Sequence, residues 1–370
     1  MNIQAILILC FSVLLGLTSC TQNSSSSSAD DFGEWHFFAA NDSQIRIAGR
    51  ADFGIRTRPT FAWSGTAIEF AFVGTAARIH IQAPGSVFNV FLDGDTLPSK
   101  ILDLSESSDS VYLLADHLPA GSHWIRVYKR TEAIFGDAVF SGIDVIGDSS
   151  LAALPAPNVR KIEFIGNSIT CGYGDLDSLP ENPFDILTED HSITYAALSA
   201  RHLKAQERTV CMSGRGIYRN SDNTLTMLLP ELYPLIQLSS ITPWDFSLWT
   251  PDIVVINLGT NDFAGGIPDS ASFVDPAIAL VKTIHGNYPS AKIILADGPM
   301  LLGNSLTVCR LYLDAVQSEF EGTREPAVER LSFAPQTGSL GYGADWHPSR
   351  KQHALMAVNL EVKIKAMMNW

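Results

Sequence analysis

Lys161-Ile162-Glu163-Phe164-Ile165-Gly166-Asn167-Ser168-Ile169-Thr170 is the stretch on which the reading of this chain turns. An apolar strand runs into a glycine, and a serine follows two residues later. In open α/β sheets ligands bind at the carboxyl ends of the strands, so a serine just past such an end is presented at the working edge beside backbone N–H groups. Taken alone, Gly-Asn-Ser is also ordinary turn chemistry. The residues that follow supply the context. Ile193, Ala196, Ala197, Ala200 and Leu203 recur at helical spacing, and Thr209 to Met212 reads as a second strand. Asp252 to Leu258 is nearly all apolar, as a strand covered on both faces should be. A helix from about Phe273 to His285, a buried strand from Lys292 to Ala296, and helices around Leu311 to Phe320 and Ser349 to Met368 complete the series. Strands alternating with helices imply a parallel sheet with helices on both faces.

Upstream the period is two. Ile68, Phe70 and Phe72 alternate with Ala67, Glu69 and Ala71, and Ile79 and Ile81 with Arg78, His80 and Gln82. Ile125 and Val127 alternate with Trp124, Arg126 and Tyr128. Val73-Gly74-Thr75, Asp93-Gly94-Asp95 and Pro119-Ala120-Gly121 read as turns between such strands. About eight short strands in this span fit an all-β, jelly-roll-like sandwich. A small-residue stretch with Pro155 and Pro157 separates the two halves.

Hydrophobic residues make up 46% and charged residues 17% of the 370, a globular composition. The net charge of −14 offers no electrostatic handle on a polyanion, which argues against nucleic acid as a partner. Ile3 to Leu17 is too short to span a bilayer comfortably and reads as a signal-peptide core, although no Lys or Arg precedes it. It ends in Leu17-Thr18-Ser19-Cys20, which resembles a bacterial lipobox with Cys20 as the lipidated residue. Simple secretion with cleavage nearby is the alternative. Gln22, Asn23 and the serines from Ser24 to Ser28 form a solvated spacer suited to a tether. The expected organisation is a lipoprotein signal peptide (1–20), a Ser-rich linker (21–31), the β-sandwich (32–148), a linker (149–158) and the α/β domain (159–370). The expected location is the bacterial cell envelope, lipid-anchored and facing outward or into the periplasm. Cys171, Cys211 and Cys309 fit no zinc spacing; one disulfide with a free thiol and three buried thiols both remain open.

Two further motifs end apolar runs in the second half. Gly259-Thr260-Asn261-Asp262 closes the most buried-looking strand, where the Asn261 amide can donate to an oxyanion or, more blandly, cap the next segment. Gly214, in Ser213-Gly214-Arg215-Gly216, offers a backbone N–H after another strand. Near the C-terminus, Asp345-Trp346-His347-Pro348-Ser349 places His347 just before a helix that can begin at Pro348, a residue favoured at the first helical position. His285 and His353 read as structural or surface residues. Serine, amide donor and imidazole, in that order, are the minimum kit for acyl transfer. A competing serine exists: Gly147-Asp148-Ser149 also follows an apolar alternation, but it sits at the junction between the halves.

These blocks in this order resemble the SGNH (GDSL-like) hydrolases, with Ser168, Gly214, Asn261 and His347 at the four naming positions. The Arg126-Val127-Tyr128-Lys129-Arg130-Thr131-Glu132-Ala133 block closes the β half, Phe164 to Gly174 opens the α/β half, and Asp245-Phe246-Ser247 with Trp249-Thr250-Pro251-Asp252 precedes Gly259. With the sandwich first, the whole looks like carbohydrate esterase family two. The resemblance selects Ser168 over Ser149 as nucleophile. It implies an oxyanion hole of Ser168, Gly214 and Asn261, and deacetylation of acetylated xylan or glucomannan without cofactor or metal. Two departures stand out. Asn167 occupies a place where many members carry Asp. Ala344 occupies the place three before the histidine where a triad Asp usually stands, and the nearest acid is Asp345. Asp345 is therefore either the third catalytic residue or a sugar contact, with a main-chain carbonyl holding the imidazole as in dyad-type members. Trp346 either stacks on the sugar or packs in the core. Other esterase specificities (peptidoglycan O-acetyl, lipid or thioester) and a non-catalytic carbohydrate-binding lipoprotein are the alternative functions.

Overall fold

The computed structural model describes residues 33–370; the expected leader, Cys20 and the serine tract lie outside them. Nine strands come first: β1 (Trp35–Ala39), β2 (Arg46–Ala48), β3 (Thr60–Phe61), β4 (Ala67–Gln82), β5 (Val87–Leu92), β6 (Lys100–Asp103), β7 (Val111–Ala115), β8 (Gly121–Lys129) and β9 (Ala138–Gly147). All their pairings are antiparallel, and a single long strand joins two layers. The first half of β4 lies between β2 and β8, while its second half lies between β7 and β9. The changeover falls at Gly74, where a register shift occurs and where a Cβ would strike the Ile146 carbonyl. Val73-Gly74-Thr75 is therefore not the turn its sequence suggests. The glycine bends a continuous strand from one layer into the other, a recognised use of glycine in strands. Phe61, Ile68, Phe70, Phe72, Phe88 and Phe140 fill the space between the layers. Each such fully buried side chain contributes about 1.5–3 kcal/mol.

The second half contains β10 (Arg160–Gly166), α1 (Ser168–Cys171), α2 (Tyr195–His202), β11 (Ala205–Cys211), α3 (Leu229–Leu232), β12 (Ile253–Asn257), α4 (Ser270–Asn287), β13 (Lys292–Asp297), α5 (Gly303–Ser318), β14 (Val328–Ser332) and α6 (Arg350–Met368). The five strands are parallel, in the order β11-β10-β12-β13-β14. In chain order this is 2-1-3-4-5, whose switch point lies between the first and third strands. Alternate residues serve opposite faces. Val254 and Ile256 pack with α4 and α5, whereas Ile253 and Val255 pack with α2 and α6. The last helix begins at Arg350 rather than Pro348. The Ser349 hydroxyl accepts the Gln352 N–H as its cap, and Pro348 is bridged to Tyr342. Cys171, Cys211 and Cys309 are all buried free thiols.

Glu34–Trp370 is one compact unit, and buried polar side chains knit its halves together. Arg50, from the β half, pairs with Glu163 in the middle of β10 at 3.0 Å, and Tyr233 donates to the other Glu163 oxygen at 3.0 Å. Arg130 donates to the carbonyls of Glu189 and Leu187, both at 3.0 Å. Asn89 donates to Asp190 and Ser192. Removing one partner of a buried pair such as Arg50–Glu163 strands the other charge, at a cost of about 3–5 kcal/mol.

Candidate active site

Ser168 begins the single turn of α1, directly past the end of β10 and beside the switch point. Asn167 caps that turn, its Oδ1 accepting the Ile169 N–H at 3.1 Å. Asparagine thus keeps the capping role an aspartate would fill. A Cβ on Gly166 would strike the Thr170 hydroxyl, so only glycine lets the chain turn this tightly into the serine.

The Ser168 Oγ lies 2.9 Å from His347 Nε2, and His347 Nδ1 lies 3.1 Å from the Ala344 carbonyl. A carbonyl only accepts, so it fixes the proton on Nδ1 and leaves Nε2 as the acceptor facing the serine hydroxyl. Burial pulls the His347 pKa down to about 4, partly opposed by the Ala344 carbonyl and by the negative charge of Asp345. At neutral pH the ring is therefore neutral and able to take a proton.

The loop that achieves this is strained. Asp345 and Trp346 both adopt left-handed backbone, φ 48° and 55°. Two consecutive non-glycine residues in that region cost free energy, and the surroundings must hold them there. The Ala344 N–H donates to Gly174 O and the Asp345 N–H to Asn182 O. This twist turns the Asp345 carboxylate away from the imidazole. It accepts instead from the Tyr173 hydroxyl at 2.6 Å, while the Tyr173 ring lies against His347 with centroids 4.1 Å apart. Of the two readings open for Asp345, the geometry matches the one in which a main-chain carbonyl holds the ring and not the triad: the Ala344 carbonyl occupies the place of the third member. Trp346 is 51% exposed, which removes the core-packing alternative. The competing Ser149 is exposed, just past the end of β9. His353 is buried and accepts the Tyr195 N–H, as a structural histidine.

Strand register gathers the remaining candidates. Gly166, Cys211 and Asn257 are lateral neighbours at the ends of β10, β11 and β12. Ser168, Gly214 and Asn261 follow those ends and share one rim. Gly214 has φ 75°, and its N–H has no internal acceptor among the described residues. The Asn261 amide spends one hydrogen on the Arg215 carbonyl at 2.8 Å, and an amide has a second. Asp262 locks the two loops together by accepting the N–H groups of Ile217, Tyr218 and Arg219 at 2.9, 2.7 and 3.1 Å.

Two residues at this rim escape sequence reasoning. Tyr173 is inside the Phe164–Gly174 block, but nothing local predicts that it buttresses the histidine. Glu132 comes from the β half, 1% exposed, and accepts the Ser213 N–H at 2.6 Å and the Cys171 thiol at 3.7 Å. It thereby grips both the turn carrying Ser168 and the loop carrying Gly214. Burial raises its pKa, and the Ser213 and Cys171 hydrogen bonds pull the other way. Glu132, Cys171 and Glu189 bring three potential ligand atoms within 4.8 Å of one another. Burial raises the pKa of the Cys171 thiol and of the Glu132 and Glu189 carboxyl groups alike, and the buried Lys129 opposes the rise at the two carboxyl groups.

Comparison with known proteins agrees with this layout. Residues 47–155 match the family described as Carbohydrate esterase 2 N-terminal, and residues 164–355 match the GDSL-like Lipase/Acylhydrolase family. The Cellulase/esterase CelE of Acetivibrio thermocellus is 39% identical over 327 residues, 88% of this chain; the chain spans only 40% of that protein's length. An Acetylxylan esterase / glucomannan deacetylase of Cellvibrio japonicus is 28% identical over 99% of this chain and 98% of its own. A solved family two carbohydrate esterase from Clostridium thermocellum, in complex with cellohexaose, superposes with a TM-score of 0.85 at 38% identity, covering 88% of this chain and 99% of that one. A parallel sheet with a GDSL-like match over more than half the chain defines a carboxylic ester hydrolase. Within that class the chain belongs to carbohydrate esterase family two.

Proposed function

We propose that this protein is a serine esterase that removes O-acetyl groups from plant cell-wall polysaccharide, xylan or glucomannan, through an acetyl-serine intermediate. The observation that carries the reading is the 2.9 Å approach of Ser168 Oγ to an imidazole whose far nitrogen is held by a carbonyl. His347 takes the serine proton as Oγ attacks the acetyl carbonyl. The N–H groups of Ser168 and Gly214 and the free Asn261 amide hydrogen hold the oxyanion. The tetrahedral intermediate collapses and expels the sugar alkoxide, which leaves with the proton from His347. Water, deprotonated by the same ring, then releases acetate from Ser168. The exposed Trp346 indole, one residue before His347, supplies a face for a sugar ring. The name of the Cellvibrio japonicus relative, acetylxylan esterase and glucomannan deacetylase, supports the acetylated polysaccharide as substrate.

Acetate release from acetyl-xylan and acetyl-glucomannan, measured beside 4-nitrophenyl esters of lengthening acyl chain, tests the reading. Release from the polysaccharides with turnover falling beyond acetyl supports it. Preference for long acyl chains, or hydrolysis confined to O-acetyl peptidoglycan, overturns it.

Two substitutions probe the rim. Asn261→Ala is expected to lower kcat by about 10²–10³, the usual cost of one oxyanion donor, with KM little changed. Glu132→Ala is expected to lower kcat by roughly tenfold or more by releasing the Ser213 N–H, a charge-assisted hydrogen bond of about 1.5–3 kcal/mol. Glu132→Gln keeps an acceptor oxygen and should restore most of the rate. Equal damage from both variants would point to the charge rather than to loop positioning. We further infer lipid attachment at Cys20, and with it a place in the bacterial cell envelope, from the Leu17–Cys20 motif and the serine tract. Incorporation of labelled palmitate into wild-type protein but not Cys20→Ser is the expected result.

A further inference from the structure

The outer edge of β11 borders a cavity of about 470 Å³, within the roughly 300–1,000 Å³ range of small-molecule sites. Residues 205–208 form one wall. β11 is an edge strand, paired only with β10, so its outer peptide groups lack a neighbouring strand. The facing wall comes from the sandwich and includes Phe91, Trp124 and Tyr128. This is not the Ser168 rim. Ala205 pairs with Arg160 at the start of β10, whereas Cys211 pairs with Gly166 at its end. At about 3.3 Å per residue the two ends stand roughly 20 Å apart.

The lining carries five cations, Arg46, Arg126, Arg201, Lys204 and Arg208, against the two carboxylates Glu69 and Glu207. The surplus of three positive charges (five less two) contrasts with the −14 of the whole chain. Both carboxylates are already engaged. Glu69 pairs with Arg46 at 2.6 Å and Arg126 at 3.3 Å, and Glu207 binds the His191 ring at 2.7 Å. Arg201, Lys204 and Arg208 have no ion pair among the described residues. Arg208 lies over the rings of Trp244 and Trp249, 4.8 and 4.6 Å from their centroids, and its Nη1 is buried with no hydrogen-bond partner. Burial lowers its pKa to about 10, so it remains charged at neutral pH. The Glu163 charge and the two indole rings compensate this cation only in part, because its Nη1 finds no acceptor, and an anionic ligand nearby would offset the remaining cost. The Trp124 Nε1 is likewise buried without a partner.

We propose that this cavity is a second binding site, separate from the esterase centre, for a sugar bearing a carboxylate. The cations receive the carboxylate, while the Trp124 indole and the free strand edge offer a ring face and hydroxyl partners. A bare inorganic anion would use only the first of these features, and a neutral sugar only the others.

Isothermal titration calorimetry of the full chain with methyl β-D-glucuronide, methyl β-D-glucoside and inorganic phosphate, at matched ionic strength, tests the assignment. The glucuronide should bind at least about tenfold more tightly than either of the others. Arg201→Gln with Lys204→Asn should weaken it about tenfold; asparagine suits position 204, where φ is 50°. Arg208→Gln should do the same, and hydrolysis of 4-nitrophenyl acetate by the Arg201/Lys204 variant should stay at the wild-type rate. Equal binding of the glucoside, phosphate binding as tight as the glucuronide, or unchanged affinity in a variant that melts at the wild-type temperature would each overturn the proposal. Because binding is read directly, failure here leaves the esterase reading untouched, and loss of esterase activity leaves this one untouched.

Discussion

Replacing Ser168 by alanine is expected to abolish acetate release, with a fall in kcat of about 10⁴–10⁶. Among the described residues the substitution removes the only oxygen within hydrogen-bond reach of His347 Nε2 that could attack an ester, the one at 2.9 Å. It should not disturb the fold. Ser168 opens a turn whose cap is made by Asn167, and the serine hydroxyl holds no other structural bond among the described residues. An unchanged melting temperature beside lost turnover would isolate the chemistry. Labelling with a serine-reactive phosphonate gives a second readout: an adduct at Ser168 in the wild type and none in the variant. An adduct at Ser149, or activity surviving in Ser168→Ala, would refute the assignment of the nucleophile.

His347→Ala should be nearly as damaging, and its comparison with Asp345→Asn separates a dyad from a triad. In a true triad, loss of the carboxylate costs about 10⁴ in kcat. Here the Ala344 carbonyl holds Nδ1 and Asp345 bonds Tyr173, so Asp345→Asn should cost less than about tenfold. The pH profile carries the sign. The competent form of His347 is the neutral ring, so activity is lost as pH falls through its pKa. Burial has brought that pKa from the ordinary 6.5 to about 4, so the acid limb of kcat/KM should fall well below pH 6.5. The Asp345 charge raises the pKa, so Asp345→Asn should move the limb to still lower pH. The same depression bears on stability. This ring's contribution is full above 6.5 and declines as pH falls toward 4, because only the unfolded chain takes up the proton in that window. An acid limb near 6.5 that Asp345→Asn leaves in place would contradict the buried, neutral imidazole.

Much of this arrangement was legible in the amino-acid order because its signals are local. Four apolar runs alternating with helical spacing indicate the parallel sheet, whose fifth strand, β14, carries charge at Glu329 and Arg330 and reads as no such run, and Ser168, Gly214 and Asn261 each trail one of the four. What escaped notice is non-local or ambiguous. Gly74 looks like a turn because a glycine that reverses a chain and one that bends a strand share the same sequence neighbours. The sequence allows α6 to begin at Pro348, whereas the Ser349 hydroxyl caps the helix and its first residue is Arg350. Asp345 is ionisable and adjacent to the histidine, yet its direction is set by left-handed backbone that no pattern of side chains announces. Glu132 and Arg130 lie in a block that the sequence marks as distinctive without saying what it touches.

That block has an evolutionary consequence. The sandwich is not an accessory that recombination can discard, because the carboxylate steadying the Gly214 loop is encoded ahead of the junction with the catalytic half. A genetic crossover between the halves would leave the catalytic portion with an unsupported loop and with Glu163 buried opposite no guanidinium. The two therefore have to be inherited as one cassette, and shuffling with other modules is tolerable only at its outer ends.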